Sequence, residues 1–235
     1  EWFVYSQTFA YLITLIVCFL LVYKKTHHFK FTFSITFALV ILKNSFPYAL
    51  LILLMTIYYR IDSVMLERML NDQSLQAGVY AQAYRFFEAS NMLAYLFAAL
   101  LLPIFSRMIK LNESVVEIVY FSFKILMGLA FTLAIFCCVF NYQIIEFRYE
   151  ENINEAANIL AILMMCFICV SSTYIFGTLL TANGNLYHLN VVAGMGVILN
   201  IFLNILFIPK YQAMGSAVAS LITQFLTGIA QIILC

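Results

Sequence analysis

Charge is what this chain has least of. Only 10% of its 235 residues are Asp, Glu, Lys or Arg, while 65% are hydrophobic. Soluble domains carry about 25% charged and about 45–50% apolar residues. Such a composition cannot keep its surface in water, which excludes a soluble globular enzyme. The same apolar excess excludes intrinsic disorder. The net charge is only +1, so no global field gathers nucleic acid. Short alternating segments of about ten residues, the mark of barrel strands, are lacking too. So is a basic leader with a small-residue cleavage site. Six cysteines are present, but Cys18, Cys137, Cys138, Cys166 and Cys169 lie inside apolar runs and read as small hydrophobes. Cys166 and Cys169 form a C-x-x-C with no second pair and no nearby His, so no metal and no cofactor is expected.

What is there instead is a series of apolar runs near 20 residues, the length of a helix crossing about 30 Å of hydrocarbon. The expectation is an all-α integral membrane protein with about seven transmembrane helices, at 4–23, 45–69, 78–106, 116–140, 156–180, 188–208 and 213–234. Lys24, Lys25, Lys30 and Lys43 make the first loop basic, which places it in the cytoplasm. The second loop (67–76) is acidic on balance. The third carries Arg107 and Lys110, and the fourth carries Glu146, Glu150, Glu151 and Glu155 against Arg148. This alternation puts the N-terminus outside and the C-terminus inside. Residues 24–44 form a basic linker, and its apolar stretch 31–42 is expected along the cytoplasmic interface. His27 and His28 read as part of a solvated basic segment. The chain begins on Glu1 rather than Met and ends on an apolar run at Cys235, so it is expected to be part of a longer, transporter-sized chain.

Ionisable residues within a membrane are costly and mark functional sites by default. Span two carries Arg60 and Asp62; span three carries Arg85 and Glu88 on one helical face. A short connection makes these spans antiparallel neighbours and brings the four charges to similar depth. They could pair across the hairpin, Arg60 with Glu88 and Asp62 with Arg85. Alternatively, they could line a polar cavity, with arginines for an anionic substrate and carboxylates for coupling ions. Arginine matches phosphate oxygens bidentately. Tyr84 and Asn91 lie too deep for an interfacial belt, and a tyrosine- and amide-lined cleft would suit a sugar. Lys124, one heptad after Glu117, reads as snorkelling to the interface. Gly196, Asn200 and Asn204 step by four and form a stripe suited to helix packing or substrate contact; Gly215, Ala219 and Thr223 repeat the device. Pro47 and Pro103 can free backbone carbonyls, as hinges in transporters do.

Tyr-Arg-Ile-Asp-Ser-Val-Met-Leu at 59–66, Ala-Gly-Val-Tyr-Ala-Gln-Ala-Tyr-Arg-Phe-Phe-Glu at 77–88 and Leu-Leu-Leu-Pro-Ile-Phe-Ser-Arg at 100–107 resemble the bacterial polysaccharide flippases. These include the O-antigen exporters of the multidrug/oligosaccharidyl-lipid/polysaccharide superfamily. The late segment Asn-Ile-Phe-Leu-Asn-Ile-Leu-Phe-Ile-Pro at 200–209 is similar to theirs as well. One departure is Gln212 after Tyr211, where the family often has glycine.

The resemblance covers residues 40–234 and implies a two-lobed transporter. Residues 1–23 would be the last helix of an N-terminal lobe missing from this chain, 24–44 the linker, and 45–235 a six-helix C-terminal lobe. It implies flipping of a polyprenyl-pyrophosphate-linked oligosaccharide between leaflets of the bacterial inner (cytoplasmic) membrane by alternating access, for cell-surface polysaccharide biosynthesis, with no enzymatic step. Arg60 and Arg85, with Tyr84 and Asn91, would bind substrate; Asp62 and Glu88 would balance charge or exchange H+ or Na+. A drug/cation antiporter of the same superfamily is the nearest rival and would favour unpaired acids. A membrane-embedded glycosyltransferase or polymerase, or a non-catalytic subunit, lies further off.

Overall fold

A computed structural model describes residues 2–25, 34–70 and 73–235. Seven helices appear among them: α1 (Trp2–Lys25), α2 (Ile35–Met69), α3 (Gln73–Lys110), α4 (Val116–Val139), α5 (Asn141–Glu146), α6 (Ile153–Ala182) and α7 (Leu186–Leu234). Six of them are long and apolar enough to cross a membrane. The chain divides into two compact units, Glu1–Asn44 and Ser45–Cys235.

The first unit contains α1, which is apolar on every side and closes on Lys24 and Lys25. All-round apolarity marks a helix surrounded by other apolar matter. It also contains the opening turns of α2. The stretch expected to lie along the interface is, from Ile35 onward, part of one 35-residue helix. Ser34 starts it, its hydroxyl accepting the Phe37 N–H at 3.4 Å, an N-cap. From Ile35 to Phe46 neither proline nor glycine interrupts the chain, so nothing ends the helix where a linker was expected. The rest of that linker, with His27, His28 and Lys30, lies outside the described residues.

The second unit is built around α6, which packs against α3, α4, α5 and α7. Ile159, Leu160, Leu163, Met164, Phe167 and Val170 are buried along it. The outer helices keep one apolar side exposed; Phe121, Ile125, Phe131 and Ile135 of α4 are examples. An apolar surface on this scale belongs in lipid. The molecule is a multi-pass membrane protein.

Helix ends follow from local chemistry. Asn112 (φ 56°) closes α3 while the Glu113 N–H returns to the Met108 carbonyl at 2.9 Å. Gly184 (φ 77°) closes α6 while the Asn185 N–H returns to Leu180 at 2.9 Å. Both are left-handed caps that satisfy orphan carbonyls.

Spans six and seven of the sequence reading both fall within α7, and the chain reverses between them at Gln212 (φ 52°, ψ −132°). The two halves run antiparallel. Asn200 Nδ2 donates to Ser220 Oγ at 3.3 Å. A methyl on Gly196 would meet the Thr227 side chain at 2.8 Å, and one on Gly215 would sit 2.5 Å from the Phe207 carbonyl oxygen. Small residues thus let the backbones close up. The Ala213 N–H, left free by the turn, donates to Gln76 Oε1 of α3 at 3.1 Å. Glutamine is strained in a backbone region favouring glycine, at a cost of about 1–3 kcal/mol. The departure at Gln212 therefore adds strain to the hairpin.

Two substitutions test this geometry by thermal unfolding in detergent. Gly215→Ala should destabilise the fold by about 1–3 kcal/mol through overpacking. Gln212→Gly should stabilise it by about 1 kcal/mol, the relieved strain less the entropy glycine costs. A Gln212→Gly protein no more stable than the parent would contradict the strain at the turn.

Candidate functional site

Tyr58, Asp62 and Leu66 step by four along α2 and form its buried face. Asp62 is only 3% exposed. A carboxylate at that depth costs several kcal/mol unless donors reach it. Three do. Tyr80 of α3 donates its hydroxyl to Oδ2 at 2.9 Å. Asn204, in the first half of α7, donates Nδ2 to Oδ1 at 2.7 Å. Ser220, in the second half, donates its hydroxyl to Oδ2 at 2.5 Å. A second shell steadies these groups. Asn204 Nδ2 also reaches Asn200 Oδ1 at 3.0 Å, and the Tyr58 hydroxyl donates to the Ser220 carbonyl at 3.3 Å.

The Asn200–Asn204 stripe is therefore more than packing, since it delivers an amide to the buried acid. The partners of Asp62 are all neutral, and Arg85 is not one of them. Among the described residues no ion pair joins Arg60 to Glu88 either. Neither cross-hairpin salt bridge forms, for a geometric reason. Asp62 faces α7 and Tyr80, while Arg85 is exposed on the far side of its own helix.

Four of the six candidate residues meet elsewhere. Arg60, Tyr84, Glu88 and Asn91 line a crevice of about 290 Å³ together with Thr56, Tyr59, Tyr95 and Tyr174. Tyr84 is set by its hydroxyl, which donates to the Tyr59 carbonyl at 3.1 Å, and by stacking on Tyr80 at 5.6 Å. Tyr95 and Tyr174 meet edge to face at 6.5 Å. Asn91 is 8% exposed and its Oδ1 has no partner. The crevice thus offers one guanidinium, one carboxylate, several phenol faces and a free amide oxygen. Phosphate, sugar and cation chemistry could each find a contact here. Arg85 does not line it. Lys124 rests over the Tyr120 ring at 4.4 Å, a local cation–π contact that keeps it on its own helix.

The sequence sets Tyr80 among the polar residues around the four charges, one turn before Tyr84, without assigning it to Asp62. Ser220 is the partner the sequence reading missed; its advance signal was its place one residue past Ala219 of the Gly215–Ala219–Thr223 stripe. Among the described residues no group of three or more His, Cys, Asp or Glu side chains is placed to hold a metal ion.

Residues 2–109 match the family described as polysaccharide biosynthesis protein. Over that stretch the resemblance read from the sequence is borne out. The fold is that of a solved MOP superfamily transporter from Pyrococcus furiosus Vc1. The TM-score is 0.68 at 17% identity, covering 79% of this chain. The present chain spans 42% of that protein, which is described as having a binding pocket of reverse polarity that suggests a different function. No curated protein matches the chain.

The Asp62 cluster makes a checkable demand. Asp62→Ala leaves three donors without their acceptor and should lower stability by about 1–3 kcal/mol. Combined with Tyr80→Phe, the loss should fall short of the sum of the single losses, because the two groups share one bond. Additive losses in detergent unfolding would mean that the bond carries no energy.

Proposed function

From a chain with the fold of a MOP superfamily transporter and the polysaccharide-biosynthesis pattern over residues 2–109, we propose that it supplies one lobe of a transporter. That transporter moves a polyprenyl-pyrophosphate-linked oligosaccharide from the cytoplasmic to the outer leaflet of the bacterial inner membrane, for cell-surface polysaccharide biosynthesis. The observation that carries this reading is the crevice. Arg60 opens into it beside Tyr59, Tyr84, Tyr95, Tyr174 and the free amide oxygen of Asn91. A guanidinium is a good partner for pyrophosphate oxygens. Phenol faces and an amide are good partners for sugar rings.

In this scheme Arg60 draws the anionic part of the substrate into the lobe. Tyr84 and Asn91 contact the first sugars, and the lipid tail stays in the bilayer. Glu88 faces the same space and lowers its net positive charge, so the anion is held without being trapped. Asp62 couples the movement to a gradient by taking up and releasing H+ or Na+. Its neutral surroundings leave its charge free to respond to either. Alternating access follows from rocking this lobe against the N-terminal one.

The antiporter reading keeps one observation in its favour. Asp62 and Glu88 are acids with no arginine paired to them, as a cation or drug carrier would need. Transport of an organic cation by the reconstituted full-length protein, without effect on lipid-linked sugar, would select it.

The decisive assay uses host cells lacking the full-length gene, with lipid-linked oligosaccharide measured on the cytoplasmic face. Accumulation should be relieved by the restored parent gene and not by Arg60→Ala. Arg85→Ala should relieve it to near the parent level, because Arg85 lies outside the crevice. No accumulation in the deleted cells would refute the lipid-sugar reading. Relief by Arg60→Ala would remove the arginine from the path.

A further inference from the structure

A second pocket of about 390 Å³ adjoins the crevice and shares Thr56, Tyr59, Tyr95 and Tyr174 with it. Its volume lies within the range of about 300–1,000 Å³ usual for small-molecule sites. Its walls are unlike those of its neighbour, since no ionised side chain lines it. One wall is apolar, made of Leu51, Ile52, Leu54 and Met55 of α2. The opposite wall, from α6 and the second half of α7, presents Thr173, Thr178, Thr181, Thr227, Gln224 and Gln231.

The threonines have spent their protons. Thr178 donates to the Tyr174 carbonyl at 2.5 Å, Thr181 to Gly177 at 2.7 Å, Thr173 to Val170 at 2.7 Å and Thr227 to Thr223 at 2.9 Å. Their hydroxyl oxygens keep lone pairs, so that wall is rich in acceptors. Gln224 and Gln231 are 7% and 2% exposed, and Gln231 Oε1, beside Gly177, has no hydrogen-bond partner. A buried amide oxygen without a partner is costly, and a ligand donor would remove that cost.

An anion has nothing to attract it here, because acceptors repel it and no cation lines the wall. A plain hydrocarbon would leave the Gln231 amide oxygen unsatisfied. The group that fits has many donors on one face, apolar carbon on the other and no charge. We propose that this pocket is a binding subsite for an uncharged sugar ring, seated between the apolar α2 wall and the threonine–glutamine wall, separate from the anion-attracting crevice at Arg60. For its physiological ligand the subsite rests on the flippase reading. The substrate's charged group and its sugars would then occupy neighbouring pockets of one lobe.

The test uses the full chain in lipid nanodiscs and p-nitrophenyl β-D-glucopyranoside as the probe, measured by calorimetry. The parent protein should bind it. Gln231→Leu should weaken binding about tenfold, the loss of one hydrogen bond of about 1.4 kcal/mol. Thr181→Val, which keeps the shape and removes one acceptor, should weaken it severalfold and guards against a misfolded Gln231 variant. Arg85→Ala should bind as the parent does.

No binding by the parent protein, or equal binding by both pocket variants, overturns the subsite. Displacement of the glycoside by tetraphenylphosphonium, with that cation binding tightly through Gln231, also overturns it and makes the pocket a cation site. The flippase assay separates the two ideas. Full relief of accumulation by both pocket variants refutes the subsite while the flippase reading stands. Failure of the parent gene to relieve accumulation refutes the flippase reading, and glycoside binding in nanodiscs then decides the subsite alone.

Discussion

One buried carboxylate fastens three helices. The helices of the second unit pack backbone to backbone around α6, but α2 does not join them to that extent. It is held by the reach of its side chains, Tyr58 to the Ser220 carbonyl and Asp62 to Tyr80, Asn204 and Ser220. Hydrogen bonds to a charged acceptor are the stronger kind, worth about 1.5–3 kcal/mol each. A helix held by directed bonds rather than an interlocked flank can shift when the acceptor changes state. The gaps beside it remain open, and both pockets have α2 as a wall.

The two pockets divide the polar work of the lobe by charge. Arg60 and Glu88 open to the smaller one, while the larger one is lined only by neutral groups. Between them stand Tyr59, Tyr95 and Tyr174, which belong to both. Phenols suit that boundary because their rings are apolar and their hydroxyls are wet. A ligand with a charged end and an uncharged, hydroxyl-rich body finds each environment in turn within one helical lobe.

Much of this was legible in the sequence, and the rest failed for identifiable reasons. Apolar run lengths delimited the membrane helices, because hydrocarbon thickness leaves little freedom in span length. The depth of Asp62 marked it as special, since an acid there needs partners. Which partners it has was not legible. Periodicity says which residues share a face and nothing about how that face is turned toward its neighbours. Arg85 and Glu88 are three residues apart, yet only Glu88 reaches the crevice. Asn200 and Asn204 were visible as a stripe, but their target lies 142 residues from Asn204 in the chain. The stretch 31–42 was read as lying along the interface because it is too short to span alone; from Ile35 it is the start of a helix that runs on to Met69.

The hairpin of α7 also carries a consequence for biogenesis. Its reversal at Gln212 leaves the Ala213 N–H without a helical partner, and the group that accepts it, Gln76, was made 137 residues earlier. Chains emerge from the ribosome N-terminus first. By the time the last two apolar segments enter the bilayer, α3 is already there to receive their turn. The order of synthesis supplies the acceptor before the donor exists.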